Sequence, residues 1–394
     1  MKKFCVLLSV LFFAQAISGC AWLKRAIEGT ETLEDKKVTA LHLAAADGSA
    51  EVCAGAPVQL LVTADIEGQK TMTTWAYDAA GKTLKKGHLT FEDFDFSSNF
   101  GKIGLQDGIL VVPNTGLELL GRKVEVTVTS KQAAGLEGKF EVGLNFKCGV
   151  IADFGGAPGQ PGQAGLSGQA GRDGQSESSS GSYARPGGNG ENGLRGGSGG
   201  RGGPGGNGHD LTVDVAKISG PAGEELVLAR ATDQSAGNLT RTVLLDPAGG
   251  GELTIKASGG PGGSGGSGGF GGRGGHGGTG APAGSAGDGA DGGDGADGGD
   301  GGNGGRVVVH FAANHPELAK LIKVSNGAGP AGSAGSAGAS GSGGNSYSGG
   351  RQGRSGRMGN SGHGGRPGSD GPPVTAQPAN VQQMFPDPGG LKFI

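Results

Sequence analysis

The chain has 394 residues, 33 of them basic, 36 acidic and 91 glycine, and a formal net charge of −3. That near-neutral balance excludes a polycation built to neutralise nucleic-acid phosphates. Only 16 glycines precede residue 155 and the other 75 lie from there on, so the first half has the composition of a globular domain and the second excludes an ordinary hydrophobic core.

In chain order, Lys2 and Lys3 precede an apolar run over 6–17 that is too short to span a bilayer. The run ends in Ile17-Ser18-Gly19-Cys20. This resembles the cleavage box of bacterial lipoproteins, which implies removal of residues 1–19, acylation of Cys20 (palmitate among the chains) and anchoring to a membrane. Ala21 stands where an Asp would resemble an inner-membrane retention signal, so the resemblance implies the outer membrane, facing the periplasm or the cell surface. Several acyl chains hold firmly, since each buried CH2 contributes ~0.8 kcal/mol. Cys5 would leave with the leader and Cys20 would carry lipid, which leaves Cys53 and Cys148 to form a disulfide in an oxidising compartment. Closing a loop of that length stabilises by ~4.7 kcal/mol in the chain-entropy model.

After a tether over 20–35, alternating apolar residues predict strands at 38–45, 58–66, 71–77, 109–112, 124–129 and 140–146, with a turn at 78–81 and no long amphipathic helix. The expectation is an all-β sandwich over 36–153. The order Cys53, Trp75, Cys148, with the stretch Ala54-Gly55-Ala56-Pro57-Val58, resembles bacterial immunoglobulin-like domains. Trp75, Phe91, Phe94 and Phe96 read either as core aromatics or as a sugar-binding face. His42 and His88 belong to no recognisable catalytic or metal-binding motif in the sequence.

From residue 156 glycine recurs every third position in three blocks, each broken in its middle. The resulting arms cover 156–174 and 187–208, 259–280 and 289–304, and 329–344 and 350–371. A period of three is that of polyproline II, which has no internal hydrogen bonds and must bond to water or to neighbours. Disorder, a collagen triple helix and a bundle of six polyproline II helices folded as three hairpins are the competing readings. The matched arms favour the bundle, which resembles the glycine-rich bundles of snow-flea antifreeze protein and of certain phage tail-tip adhesins. The intervening runs at 209–219, 225–231, 240–245, 252–256, 306–311 and 321–325 read as strands, with a helical turn near 315–322. Together they predict a small β platform carrying the bundle over 154–371. Residues 372–394 read as an extended tail, of which 377–394 is expected to lie against a neighbour.

At three residues per turn the variable position returns to one face, at ~9.3 Å intervals. Asp288, Asp291, Asp294, Asp297 and Asp300 form an acidic row; Arg351, Arg354, Arg357, His363 and Arg366 form a basic one. The rows are candidates to fix arm register, to be two solvated faces, or to bind anionic polysaccharide. The acidic spacing is too wide for one arm to wrap calcium. No nucleophile elbow, phosphate loop or zinc spacing is present, so neither cofactor nor enzyme activity is expected. The expected role is a structural or adhesive cell-envelope protein, probed against the alternative of an ion- or ice-binding bundle face. Its expected partners are the membrane, polysaccharide or another envelope protein, not nucleic acid, and the bundle is expected to be monomeric.

Overall fold

The computed structural model describes residues 30–53, 56–74, 88–100, 102–103, 108–112, 120–132, 135–177, 185–220, 223–235, 239–386 and 391–394. The leader, Cys20, Trp75 and the 78–81 turn lie outside these residues. The described chain is an all-β protein: sheets dominate and helix is confined to short turns.

Among the described residues eleven strands precede residue 146: β1 Thr30–Glu31, β2 Val38–Ala45, β3 Glu51–Cys53, β4 Pro57–Ile66, β5 Met72–Thr73, β6 His88–Leu89, β7 Phe94–Ser98, β8 Lys102–Ile103, β9 Ile109–Val111, β10 Val124–Ser130 and β11 Glu137–Asn145. Two sheets, β2-β4-β9-β8 and β3-β11-β10-β7, share one hydrophobic core. The strict alternation of β4 (Val58, Leu60, Val62, Ala64 and Ile66 inward) builds one inner face, and Val124, Val126 and Val128 of β10 build the other. Phe91 and Phe94 are buried in this core and Phe96 packs against it, so these aromatics form no sugar-binding face. His42 pairs with Asp65 at 2.9 Å. Cys53 and Cys148 form a disulfide with Cα atoms 5.9 Å apart. It ties the end of β3 to the segment after β11, at the rim of the sandwich. Cys53 closes a strand of its own, not anticipated from the sequence.

Nine more strands build a second core: β12 Val150–Asp153, β13 Leu211–Ser219, β14 Glu225–Asp233, β15 Thr240–Leu245, β16 Leu253–Lys256, β17 Val307–Ala312, β18 Ile322–Ser325, β19 Thr375–Ala379 and β20 Lys392–Phe393. One sheet is β12-β16-β18, parallel throughout; the other runs β15-β14-β13-β17-β19, with β20 on β13. Their inner faces meet in a core of Val213, Val215, Leu228, Ile255, Val307 and neighbours. Parallel strands buried in this way read as continuous apolar runs, and Val307-Val308-Val309 is one.

Each glycine arm is the prolongation of a strand. β12, β16 and β18 lead into the first, third and fifth arms; β13, β17 and β19 follow the second, fourth and sixth. The ladders cross the junction without a break. Phe154 donates its backbone N–H to the Lys256 carbonyl at 2.7 Å, Gly156 donates to Ser258 at 2.9 Å, and Ala257 donates to Ser325 at 2.7 Å. On the other side Leu211 donates to Arg306 at 2.7 Å and Gly208 to Asn303 at 2.8 Å. Two stacked sheets therefore continue as two stacked layers of arms, one of arms one, three and five and one of arms two, four and six. The fourth arm begins at Gly284, whose N–H bonds to Gly278; this is earlier than the glycine period indicates, because Ala286 takes a glycine position.

In the second, third and fourth arms each triplet has three amides with three different fates, whereas in the first, fifth and sixth only one amide per triplet finds a backbone acceptor. One fate is a bond to the next arm of the same layer, as Gly165 to Ser267; a second is a bond across to the other layer, as Gly266 to Gly200. The third amide belongs to the variable residue and finds no backbone acceptor. Close approach of the arms explains the glycine: within a layer, a Cβ on Gly266 would overlap the Gln163 carbonyl oxygen and one on Gly299 the Gly203 carbonyl oxygen, and between layers one on Gly156 would overlap the Gly206 carbonyl oxygen. The third arm, bonded to four others, carries two glycines in every triplet, whereas the first, bonded to two, carries one. Side chains such as Gln160, Gln163 and Leu166 then line the outer edge, where a further arm would otherwise add.

The tail packs on the platform. β19 pairs with β17, β20 with β13, and the short helix α1 (Val381–Met384) buries Met384 and Phe385 against the platform core.

Candidate functional site

The variable positions fall into transverse rows across each layer. On the even-numbered arms these include Asn192–Asp288–Arg354, Arg195–Asp291–Arg357, Arg201–Asp297–His363 and Pro204–Asp300–Arg366. The acidic row therefore runs down the middle arm, between a mixed row and the basic row.

The contact between acidic and basic rows is made chiefly by the backbone. The Oδ1 of Asp288 accepts the N–H of Arg354 at 2.7 Å, Asp291 that of Arg357 at 2.6 Å, and Asp294 that of Asn360 at 2.7 Å. Asp297 accepts from His363 at 2.8 Å, Asp300 from Arg366 at 2.7 Å, and Asn303 from Ser369 at 2.8 Å. The orphan third amide thus finds its acceptor in an Asp or Asn side chain on the neighbouring arm. Asn189, Asn192 and Asn207 do the same for Ser285, Asp288 and Asn303. Ion pairs are fewer: Arg351–Asp288 at 3.1 Å, His363–Asp297 at 3.3 Å, Arg195–Asp294 at 3.5 Å and Arg201–Asp297 at 3.6 Å. These pairs are half-exposed and individually weak. The Arg354 N–H, followed by the Arg351 guanidinium, holds the Asp288 carboxyl below its ordinary 3.8. The His363 N–H and then its ring do the same for Asp297.

The face made by the odd-numbered arms is chemically different. From the platform outward its variable rows are Pro158–Pro261–Pro330, Pro161–Ser264–Ser333, Ala164–Ser267–Ser336, Ser167–Phe270–Ala339 and Ala170–Arg273–Ser342. Charge enters only with Arg273 and with the row beyond it, Asp173–His276–Asn345. There the side-chain-to-amide relation returns: Asp173 Oδ1 accepts the His276 N–H at 2.7 Å, and His276 Nδ1 accepts the Asn345 N–H at 3.0 Å. Phe270 is 63% exposed in the middle of the uncharged face.

A third polar cluster lies under the tail. Asp214 is buried and sits opposite Arg230 on β14 and His310 on β17, with contacts of 2.9 and 3.0 Å. Gln377 of β19 meets His310 at 2.9 Å, and Phe385 lies over the Arg230 guanidinium at 4.8 Å. This cluster pins the tail and presents no nucleophile.

Sequence reasoning located the two charged rows but not the bond that joins them. The signal was available: an Asp or Asn at the variable position of one arm, repeated in step with the arm two places on. Among the described residues no cluster of His, Cys, Asp and Glu could hold a metal ion, and no helix is long and apolar enough to cross a membrane. No family model, curated protein or solved structure matches the chain.

Proposed function

We propose that the chain is a non-enzymatic, lipid-anchored cell-envelope protein that displays a rigid blade for contact with polysaccharide, cells or envelope proteins. In this reading Cys20 carries the lipid at the outer membrane, the N-terminal sandwich is an immunoglobulin-like spacer, and the arms are six polyproline II helices in one monomeric bundle. The observation that carries it is the pair of backbone ladders running from platform sheets into both layers of arms. Such a body holds its shape without a hydrophobic core, and its variable positions can change on either face without disturbing glycine packing. A surface of that kind suits binding rather than chemistry.

The anchor is tested by Cys20→Ala. The substituted protein is expected to move from the membrane fraction to the soluble fraction with its folded core intact. Retention in the membrane fraction would remove the lipoprotein reading. Protease treatment of intact cells then reports on which side of the outer membrane the blade stands.

A further inference from the structure

The two layers obey one hydrogen-bonding relation, but only the even-numbered layer is supplied with acceptors along its length; the odd-numbered layer has them at its tip alone, in Asp173, Ser176 and His276. On the even-numbered arms, the amide of each variable residue of the sixth arm from Arg354 to Ser369 receives an Asp or Asn Oδ1. On the odd-numbered arms the corresponding acceptor positions are Pro161, Ala164, Ser167 and Ala170 in the first arm, and Ser264, Ser267, Phe270 and Arg273 in the third. The amides they face, on Ser264, Ser267, Phe270 and Arg273 and on Ser333, Ser336, Ala339 and Ser342, donate to no protein group among the described residues. The geometry is not lost in this layer, since Asp173 and His276 make the same bond to the next arm at the tip. The face therefore presents two parallel rows of N–H donors, each shaped for a carboxylate or carboxamide oxygen and repeating at ~9.3 Å. It has no charge between the platform and Arg273, and Phe270 stands exposed among the donors.

Resting on the reading of the blade as a polysaccharide-contact element, we propose that the uncharged face binds a polymer of N-acetylated amino sugars. An acetamido carbonyl is chemically equivalent to the Asn Oδ1 to which variable-position amides donate elsewhere in this chain. It needs no counter-charge, which a uronic acid polymer would. Pyranose rings carry apolar C–H faces that pack on an aromatic ring, and Phe270 offers one beside the donor rows. The acetamido oxygens take the place that Asp291 or Asn303 Oδ1 takes on the opposite face.

The test uses the full lipidated chain in detergent, with chitin as the probe and chitosan, its deacetylated form, as comparator. The native protein is expected to be retained on chitin and not on chitosan. The variant Ala164→Asn, Ser167→Asn, Ser264→Asn, Ser267→Asn supplies the chain's own carboxamides to the amides of Ser267, Phe270, Ser333 and Ser336. It is expected to keep or raise the melting temperature and to lose about tenfold in retention, the equivalent of one or two net hydrogen bonds. Arg354→Glu with Arg357→Glu, on the other face, is expected to leave chitin retention unchanged. Equal retention on chitosan, undiminished retention of the four-Asn variant, or a dimer that the four-Asn variant abolishes would each overturn the proposal. Membrane anchoring with retention on heparin alone would overturn it while leaving the broader envelope role standing; retention on no glycan would remove the polysaccharide contact from both.

Discussion

Gly299→Ala is expected to lower the melting temperature of the arms by about 10 °C, and Gly364→Ala to leave it unchanged or raise it slightly. Both residues are glycines of the same repeat, 65 positions apart. Gly299 sits in the fourth arm, where an added Cβ would overlap the Gly203 carbonyl oxygen of the second. That oxygen accepts the Gly263 N–H at 2.8 Å, so it cannot retreat without loosening a further bond. Overpacking of this kind costs about 1–3 kcal/mol, and each weakened backbone bond adds roughly 1 kcal/mol. About 3 kcal/mol in a body of this size corresponds to the stated shift in melting temperature. Gly364 is in the sixth arm, at the outer edge, and its nearest neighbour would be the Gly332 oxygen at 3.7 Å. Alanine there restricts the unfolded chain without meeting anything, which stabilises by up to about 1 kcal/mol. Thermal melts followed by circular dichroism measure both. Equal losses in the two variants would mean that the arms do not pack in the order described.

The contrast between those glycines marks where sequence reading stops. Strands such as Pro57–Ile66 and Val124–Ser130 are legible because each alternates over six or more residues against a core. Glu51–Cys53 and Val150–Asp153 were not, because three or four residues carry no period; they are strands because a neighbour supplies the ladder, β11 for one and β16 for the other. The period of three showed that arms exist and how long they are. It did not show which arm neighbours which, although that order is written in the number of glycines per triplet: two in the enclosed third arm, one in the first arm at the edge. Where the tail docks is not legible in the sequence, because Phe385 and Phe393, which stack 5.4 Å apart, have no visible partner until β13 and β17 are in place. Spacing alone leaves the charged rows open as register-fixing, solvated or polysaccharide-binding faces. Their principal bond runs from a carboxylate to a backbone amide, which no side-chain pattern on one arm announces.

That bond makes the acidic row the second place where a substitution should have a large effect. Replacing Asp291, Asp294 and Asp300 together by alanine leaves the amides of Arg357, Asn360 and Arg366 without a protein acceptor. The expected loss is about 10 °C in melting temperature, from three hydrogen bonds at a net value of roughly 1 kcal/mol each. Replacing the same three by asparagine keeps Oδ1 in place, as Asn303 does natively for Ser369, and is expected to retain most of the stability. The pair separates the hydrogen bond from the charge, because both variants remove three carboxylates from the face. Acid provides an independent reading. The folded-state carboxyls of Asp288 and Asp297 are held below 3.8, mainly by the amides they accept. A depressed folded value means stability that is fully present above the unfolded value and is lost as pH falls through the folded one. Melting temperature is therefore expected to be level near neutrality and to fall below about pH 4, where unperturbed carboxyls begin to take protons. Asp288→Asn with Asp297→Asn should flatten that fall. Should the native protein and this variant lose stability in parallel on acidification, the acidic row would be a solvated face and not the seam that holds the fourth arm to the sixth.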